Sequence, residues 1–198
     1  MARQTEQRRD ALRTNLTEEA ERRIRGEGLA SLKARPLAEA VGCSVGAIYN
    51  VFPDLTALVL TVNGRTFRRL GADIEAAVQT QSGGSPPDRL HAMAITYLRF
   101  AAANRTLWHS LFDVEMADPG EIPDWYDEEL ERLFSFISSP LKEIFPDKDA
   151  DEIEFLTRTL FSSVHGIVLL GLEQRGEPAP SDELERRISY ILNVSTKT

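Results

Sequence analysis

Three groups of residues in this chain could do chemistry by type, and their spacing sorts them. Ser162, Ser163 and His165 put hydroxyl nucleophiles beside an imidazole, but no acidic orienter or elbow motif accompanies them. His91, His109, His165 and Cys43 are metal-ligating types without ligand spacing, and His109 with Asp113 at i+4 is only a pair. Phosphate-cradling glycine runs of the GxGxxG or GxxxxGKS type do not occur, and no strand precedes the glycines that are present. The expectation is a protein that is not an enzyme and holds no metal or cofactor. The third group lies in "VGCSVGAIYNVFPDL", residues 41–55. Here Ser44 can cap a helix, and Gly46 and Ala47 are small enough to let backbone come close to another surface. The Tyr49 hydroxyl can donate to a phosphate, and the Asn50 amide can read a base or a phosphate. This is the chemistry of recognition.

Such residues need a scaffold that holds them outward. Two short helices, from about Lys33 to Val41 and from about Ser44 to Phe52, supply one. Ala38 sits where the helices cross, Gly42 turns the chain, and Ile48 returns to a shared core with Leu37, Val41 and Phe52. Ala-x3-Gly-x5-Ile is the spacing of a helix-turn-helix. The second helix then presents Ser44, Val45, Gly46, Ala47, Tyr49 and Asn50, with Lys33 and Arg35 at the start of the first helix to neutralise backbone phosphates. Seven residues at 1.5 Å rise make a rod about 10 Å long, comparable to the width of a DNA major groove. An ordinary helical corner, with Tyr49 half packed, would carry the same spacing.

With these residues in view, "LAEAVGCSVGAIYNVFPDLTAL" closely resembles the DNA-binding segment of TetR-type transcriptional regulators. The residues that carry the likeness are Gly46, Ala47, Ile48, Tyr49, Phe52, Pro53 and Asp54. Many members carry a lysine after the Pro-Asp pair, where this chain has Leu55, and a basic residue at the position of Val45. Lys33 and Tyr49 therefore bear more of the phosphate binding. Downstream, "FSSVHGIVLLGLEQRG", with "LWHSLF" before it, resembles the WHG type of TetR carboxy-terminal domain, with Phe161 at the tryptophan position. The resemblance implies a homodimer on double-stranded DNA, most often a repressor, answering to a small effector.

Composition and charge fit that picture. The chain has 198 residues, 42% of them hydrophobic, and a net charge of −8. That charge is unevenly spread. The first 70 residues hold 12 Lys/Arg against 8 Asp/Glu, and the other 128 hold 11 against 23. A basic head on an acidic body lets one end approach a polyanion. A single cysteine rules out an internal disulfide and fits a reducing compartment. The opening "MARQTEQRRD" lacks a secretory apolar stretch, and runs such as Ile167–Leu170 are too short to span a bilayer. The expectation is cytoplasmic.

Turn chemistry at 42–44, 81–88, 117–124, 145–151 and 175–182 punctuates helical periodicity, with no strand pattern between. The chain reads as all-α with about nine helices: a three-helix helix-turn-helix domain over 1–53 and a helical effector-binding and dimerisation bundle over 54–198. Ser31 is a candidate cap for the second helix, and Asp54 for the long helix after it. Tyr97, Phe100, Trp108, Phe112, Trp125, Phe161 and His165 are candidates for an effector pocket, or equally for plain core. From 153 to 172 the apolar residues occupy nearly every face, as in a helix buried on two sides. Leu160, Val164, Ile167 and Gly171, with Leu184, Ile188 and Ile191 of the last helix, are the candidate dimer interface; a monomer's core helix would look alike. The runs "DEELE" and "SDELE" read as solvated helix faces. The leading function is an effector-responsive, DNA-binding regulator acting as a homodimer on a pseudo-palindromic site. The effector would be small and apolar or amphipathic. The alternatives are a small-molecule-binding protein that no longer docks on DNA, and a helical enzyme.

Overall fold

From Leu12 onward an apolar residue recurs at every fourth position to Ile24, and that stripe is what the first helix buries: Leu16, Ala20 and Ile24 are all inaccessible. The computed structural model of the chain describes residues 2–80, 84–114, 122–173 and 179–197. Among the described residues there are nine α-helices and no strand, so the all-α expectation holds. They are α1 (Ala2–Glu27), α2 (Ala34–Val41), α3 (Val45–Tyr49), α4 (Leu55–Thr80), α5 (Pro86–Ala103), α6 (Arg105–Ser110), α7 (Asp124–Ile144), α8 (Ala150–Leu172) and α9 (Ser181–Ser195), with a 3-10 turn at Leu29–Ser31. The chain divides into two compact units. Met1–Phe67 and Asn104–Tyr126 form the first, and Arg68–Ala103 and Asp127–Thr198 the second. Helices α4 and α7 each contribute residues to both.

In the first unit, α1, α2, α3 and the start of α4 close on one apolar cluster that includes Leu16, Leu37, Ile48, Phe52, Leu58 and Leu107. Asp54 caps α4 as expected, accepting from the Ala57 N–H at 2.7 Å. Ser31 does not cap α2. Its hydroxyl turns back to donate to the Gly28 carbonyl at 2.7 Å, closing the 3-10 turn, and Lys33 takes the cap position without a side-chain bond. The reversal follows from Gly28, whose φ of 80° bends the chain before Ser31 can reach α2. Helix α6 is fastened into this unit at two points. Thr106 donates to the Arg25 carbonyl at 2.7 Å, at the end of α1. On α4, the fully buried Asn63 exchanges hydrogen bonds with Ser110: its amide donates to the Ser110 carbonyl at 2.8 Å, and the Ser110 hydroxyl returns one at 2.9 Å.

In the second unit, α8 opens on a reciprocal cap. Asp149 accepts from the Glu152 N–H at 2.9 Å, and Glu152 accepts from the Asp149 N–H at 3.2 Å. By length and composition α8 is apolar enough to cross a membrane, with 23 residues and an 18-residue window of mean hydropathy 1.4. That goes beyond what short apolar runs suggested. Its inward residues Ile153, Leu160, Val164, Val168 and Leu172 are buried, and it packs against α5 and α9. That packing accounts for its inward residues, while only 33% of the window is buried within the chain. Gly171 makes the α8–α9 crossing possible: a Cβ there would lie 2.3 Å from Leu184 Cδ2.

Candidate nucleic-acid interface

The turn between α2 and α3 is built as the spacing required. Gly42 ends α2 in the left-handed region at φ 73°, and its N–H bonds back into the helix. Ala38, Leu37, Ile48 and Phe52 are buried together, and Val41 packs against them half-buried. Ser44 caps α3, its hydroxyl accepting from the Ala47 N–H at 3.2 Å. With Ile48 fixed inward, α3 has no freedom over which residues it shows. Ser44, Val45, Gly46, Tyr49 and Asn50 are exposed and Ala47 half-exposed. Tyr49 is 47% exposed, and among the described residues neither its hydroxyl nor the Asn50 amide has a hydrogen-bond partner. A tyrosine and an asparagine held out on rigid backbone, with their polar atoms unspent, are preorganised for an external partner.

Gly46 adds a second sign. Its backbone is ordinary helix, and a Cβ there would meet nothing but Ser44 Oγ at 3.9 Å. Nothing inside the molecule requires a glycine at that point, so the space it leaves is space outside. The charges are arranged accordingly. Residues 40–53 contain no charged side chain, and Lys33 and Arg35 stand exposed at the start of α2. Glu19 of α1 is tied up elsewhere. It accepts from Arg22 at 2.7 Å and from Arg23 at 2.8 Å, while Arg23 also donates to the Pro36 carbonyl at 3.1 Å and so clamps α1 to α2. The hydrogen bond from Arg22 holds the Glu19 carboxyl below the usual carboxylate range.

The remaining candidates fall in different places. In the second unit Tyr97, Phe161 and His165 come together: the Tyr97 hydroxyl and His165 Nδ1 are hydrogen-bonded at 2.8 Å, and Phe161 stacks on the imidazole at 5.5 Å. Phe134 joins them edge-on to Phe161 at 5.2 Å. Phe100 is buried on α5, the helix that carries Tyr97. In the first unit Trp108 is wholly buried against Phe112, which is exposed, and Trp125 lies on the backbone of α4 at Gly64. Leu160, Val164, Gly171, Leu184 and Ile188 are buried within the chain, which commits them to the α8–α9 and α5 contacts rather than to a free surface; Ile167 and Ile191 are half-exposed. The apolar side chains that α8 and α9 do expose are Phe155, Leu170, Tyr190 and Val194, all more than half accessible. Sequence reasoning missed these four. Phe155, Thr159, Ser162, Gly166 and Leu170 follow one helical stripe of α8, with small residues at its centre, but an all-round apolar helix hides the phase of such a stripe.

Comparison with known proteins adds a family to this geometry. Residues 90–192, just over half of the chain, match the family model described as the tetracyclin repressor-like C-terminal domain. No protein of curated function matches the chain. Among solved structures, a protein of unknown function from Rhodococcus sp. RHA1 is similar at 26% identity and a TM-score of 0.74, over 91% of this chain and 93% of that one. PfmR, a TetR-family transcriptional regulator from Thermus thermophilus, shares the fold at 16% identity and a TM-score of 0.61, over 89% and 96%. FadR from Bacillus subtilis, a transcriptional regulator solved in complex with stearoyl-CoA, does so at 12% identity and a TM-score of 0.69, over 90% and 96%. A carboxy-terminal family match over 90–192, on an all-helical chain whose α2 and α3 form a helix-turn-helix, gives one conclusion: the chain belongs to the TetR family of transcriptional regulators.

Proposed function

We propose that this protein is a repressor that binds a pseudo-palindromic DNA operator as a homodimer and leaves it when a small apolar or amphipathic effector binds. The observation that carries the DNA reading is the outward face of α3, where Tyr49 and Asn50 are exposed and unbonded beside a glycine that no internal contact explains. In this reading Tyr49 and Lys33 hold phosphates, Asn50 reads a base edge, and Val45 makes apolar contact with a thymine methyl. Domain roles divide at about 53/54, with DNA docking before and effector binding and dimerisation after. Work in the cytoplasm follows from the same role.

One α3 contacts too few base pairs for useful specificity, so two are needed, about 34–36 Å apart. The exposed stripes of α8 and α9 supply a self-complementary face. A Cβ on Gly166 would meet nothing within 4 Å, so this point of the α8 stripe that also holds Phe155 and Leu170 is open to a second α8, and α9 adds the exposed Tyr190 and Val194. Effector binding at Tyr97, Phe161 and His165 favours a geometry in which the two α3 helices no longer match groove spacing, with α4 as the continuous link. FadR's complex with stearoyl-CoA supports an effector of amphipathic type.

The test is retention of the intergenic DNA beside the gene by purified protein, titrated with salt. Binding with a steep salt dependence, lost in Tyr49→Ala, supports the reading. Absence of binding at low salt would leave a ligand-binding protein without a DNA role, the alternative that Leu55 and Val45 favour. Candidate effectors that bind tightly without changing DNA affinity would overturn the regulatory part.

A further inference from the structure

The turns of α1 before Leu12 lie outside the apolar cluster of the first unit. Residues 3–11 are all exposed, and ten residues of helix at 1.5 Å rise reach about 15 Å past the point where packing stops. A short polar helix without tertiary contacts is marginal in water, so its sequence has no packing reason to be what it is. Two features give it another. The apolar stripe of α1 holds Ile24, Ala20 and Leu16, all buried, and the half-buried Leu12; at 3.6 residues per turn Arg9 lies at its angular centre and Arg8 about 100° to one side. The face that lower down joins the cluster with Ile48 and Phe52 thus carries Arg9 at its centre once it leaves the core. Asp10 lies about 100° from that centre on the side away from Arg8, and Glu6 about 60° from it on the same side as Asp10. The ion pairs of α1 fall in its second half, Glu19 with Arg22 and Arg23 and Glu21 with Arg25. Among the described residues Arg8 and Arg9 have none.

Position decides the occupant. One turn below Arg9, the Arg13 guanidinium lies over the Phe52 ring, 4.4 Å from its centroid, and Phe52 is three residues beyond Tyr49. Arg9 therefore stands one turn beyond a side chain seated just past the carboxy-terminal end of the recognition helix. We infer that Arg8 and Arg9 form a second DNA contact, gripping backbone phosphates of the same duplex just outside the base pairs that α3 reads. The inference rests on the DNA reading above and adds to it a clamp on flanking DNA, independent of base sequence.

Arg8→Ala/Arg9→Ala is compared with the parent and with Tyr49→Ala on the intergenic duplex and on one trimmed to the base pairs under the two recognition helices. Each arginine–phosphate contact contributes about 0.9 to the salt slope, so a dimer loses about 2 to 4 units of slope and about tenfold or more in affinity on the long duplex. On the trimmed duplex parent and variant bind alike. The melting temperature stays at the parent value, because these side chains are exposed and lie outside the apolar cluster. An unchanged slope in a variant while Tyr49→Ala abolishes binding would overturn the clamp and leave the recognition helix standing. An equal loss on both duplexes would also overturn it, since the contact would then not lie in flanking DNA. Failure of the parent itself to bind removes the DNA reading altogether.

Discussion

Gly42 and Gly46 stand four residues apart and are glycines for opposite reasons. Gly42 holds φ at 73°, so Gly42→Ala should cost about 1 kcal/mol and lower the melting temperature. Gly46 is in regular helix with open space over it, so Gly46→Leu should keep or slightly raise thermal stability and still abolish DNA retention. A folded Gly46→Leu protein with parental affinity would show that α3 approaches nothing closely. At the neighbouring positions, Tyr49→Ala should weaken binding to every sequence, whereas Asn50→Ala should relax preference at a single base pair; footprints on operator variants separate the two. Glu19 gives a pH signature. Its folded pKa is depressed, so its clamp contributes fully at pH well above about 4.3 and is lost as pH falls through the folded value. Glu19→Gln should accordingly lower the melting temperature at neutral pH and make little difference near pH 2.

Between elements, the crossing of α8 and α9 is set by one missing side chain. Gly171→Val would drive its branches into Leu184 and should destabilise by about 1–3 kcal/mol, visible as an earlier urea midpoint. The buried Asn63–Ser110 exchange joins α4 to α6, and Asn63→Ala, which leaves the Ser110 groups unpaired, should cost about 1–3 kcal/mol. These joints mark where the sequence stops being legible. The helix-turn-helix could be read because its rules are local. Ala38, Gly42 and Ile48 interact within eleven positions, and Asp54 caps the helix it precedes. Ser31 escapes that local rule, because a glycine three residues back redirects the chain. The inward and outward faces of α8 could not be read, because its apolar residues occupy every phase and the choice is made by Leu184 and Ile188, well beyond its end in the chain. For the candidate site the same division holds. Tyr49 and Asn50 follow from Ile48 being inward, whereas the meeting of Tyr97 with His165 joins residues 68 positions apart.

At the scale of the whole molecule, the proposed assembly stands or falls on surfaces that the folded subunit does not need. Leu170→Glu combined with Tyr190→Arg alters only exposed positions, so the variant should fold normally, run as a monomer in sedimentation, and bind the intergenic duplex far more weakly than the parent. A variant that stays dimeric would move the interface elsewhere. The division into two units has a spectroscopic consequence as well. Trp108, Trp125 and the lone thiol of Cys43 all belong to the first unit, and the second holds no tryptophan and no cysteine. Indole emission and thiol labelling thus report the first unit alone, while far-ultraviolet ellipticity sums over both. Superimposable denaturation curves from the three signals would mean the units melt together; separated curves would give each unit its own stability.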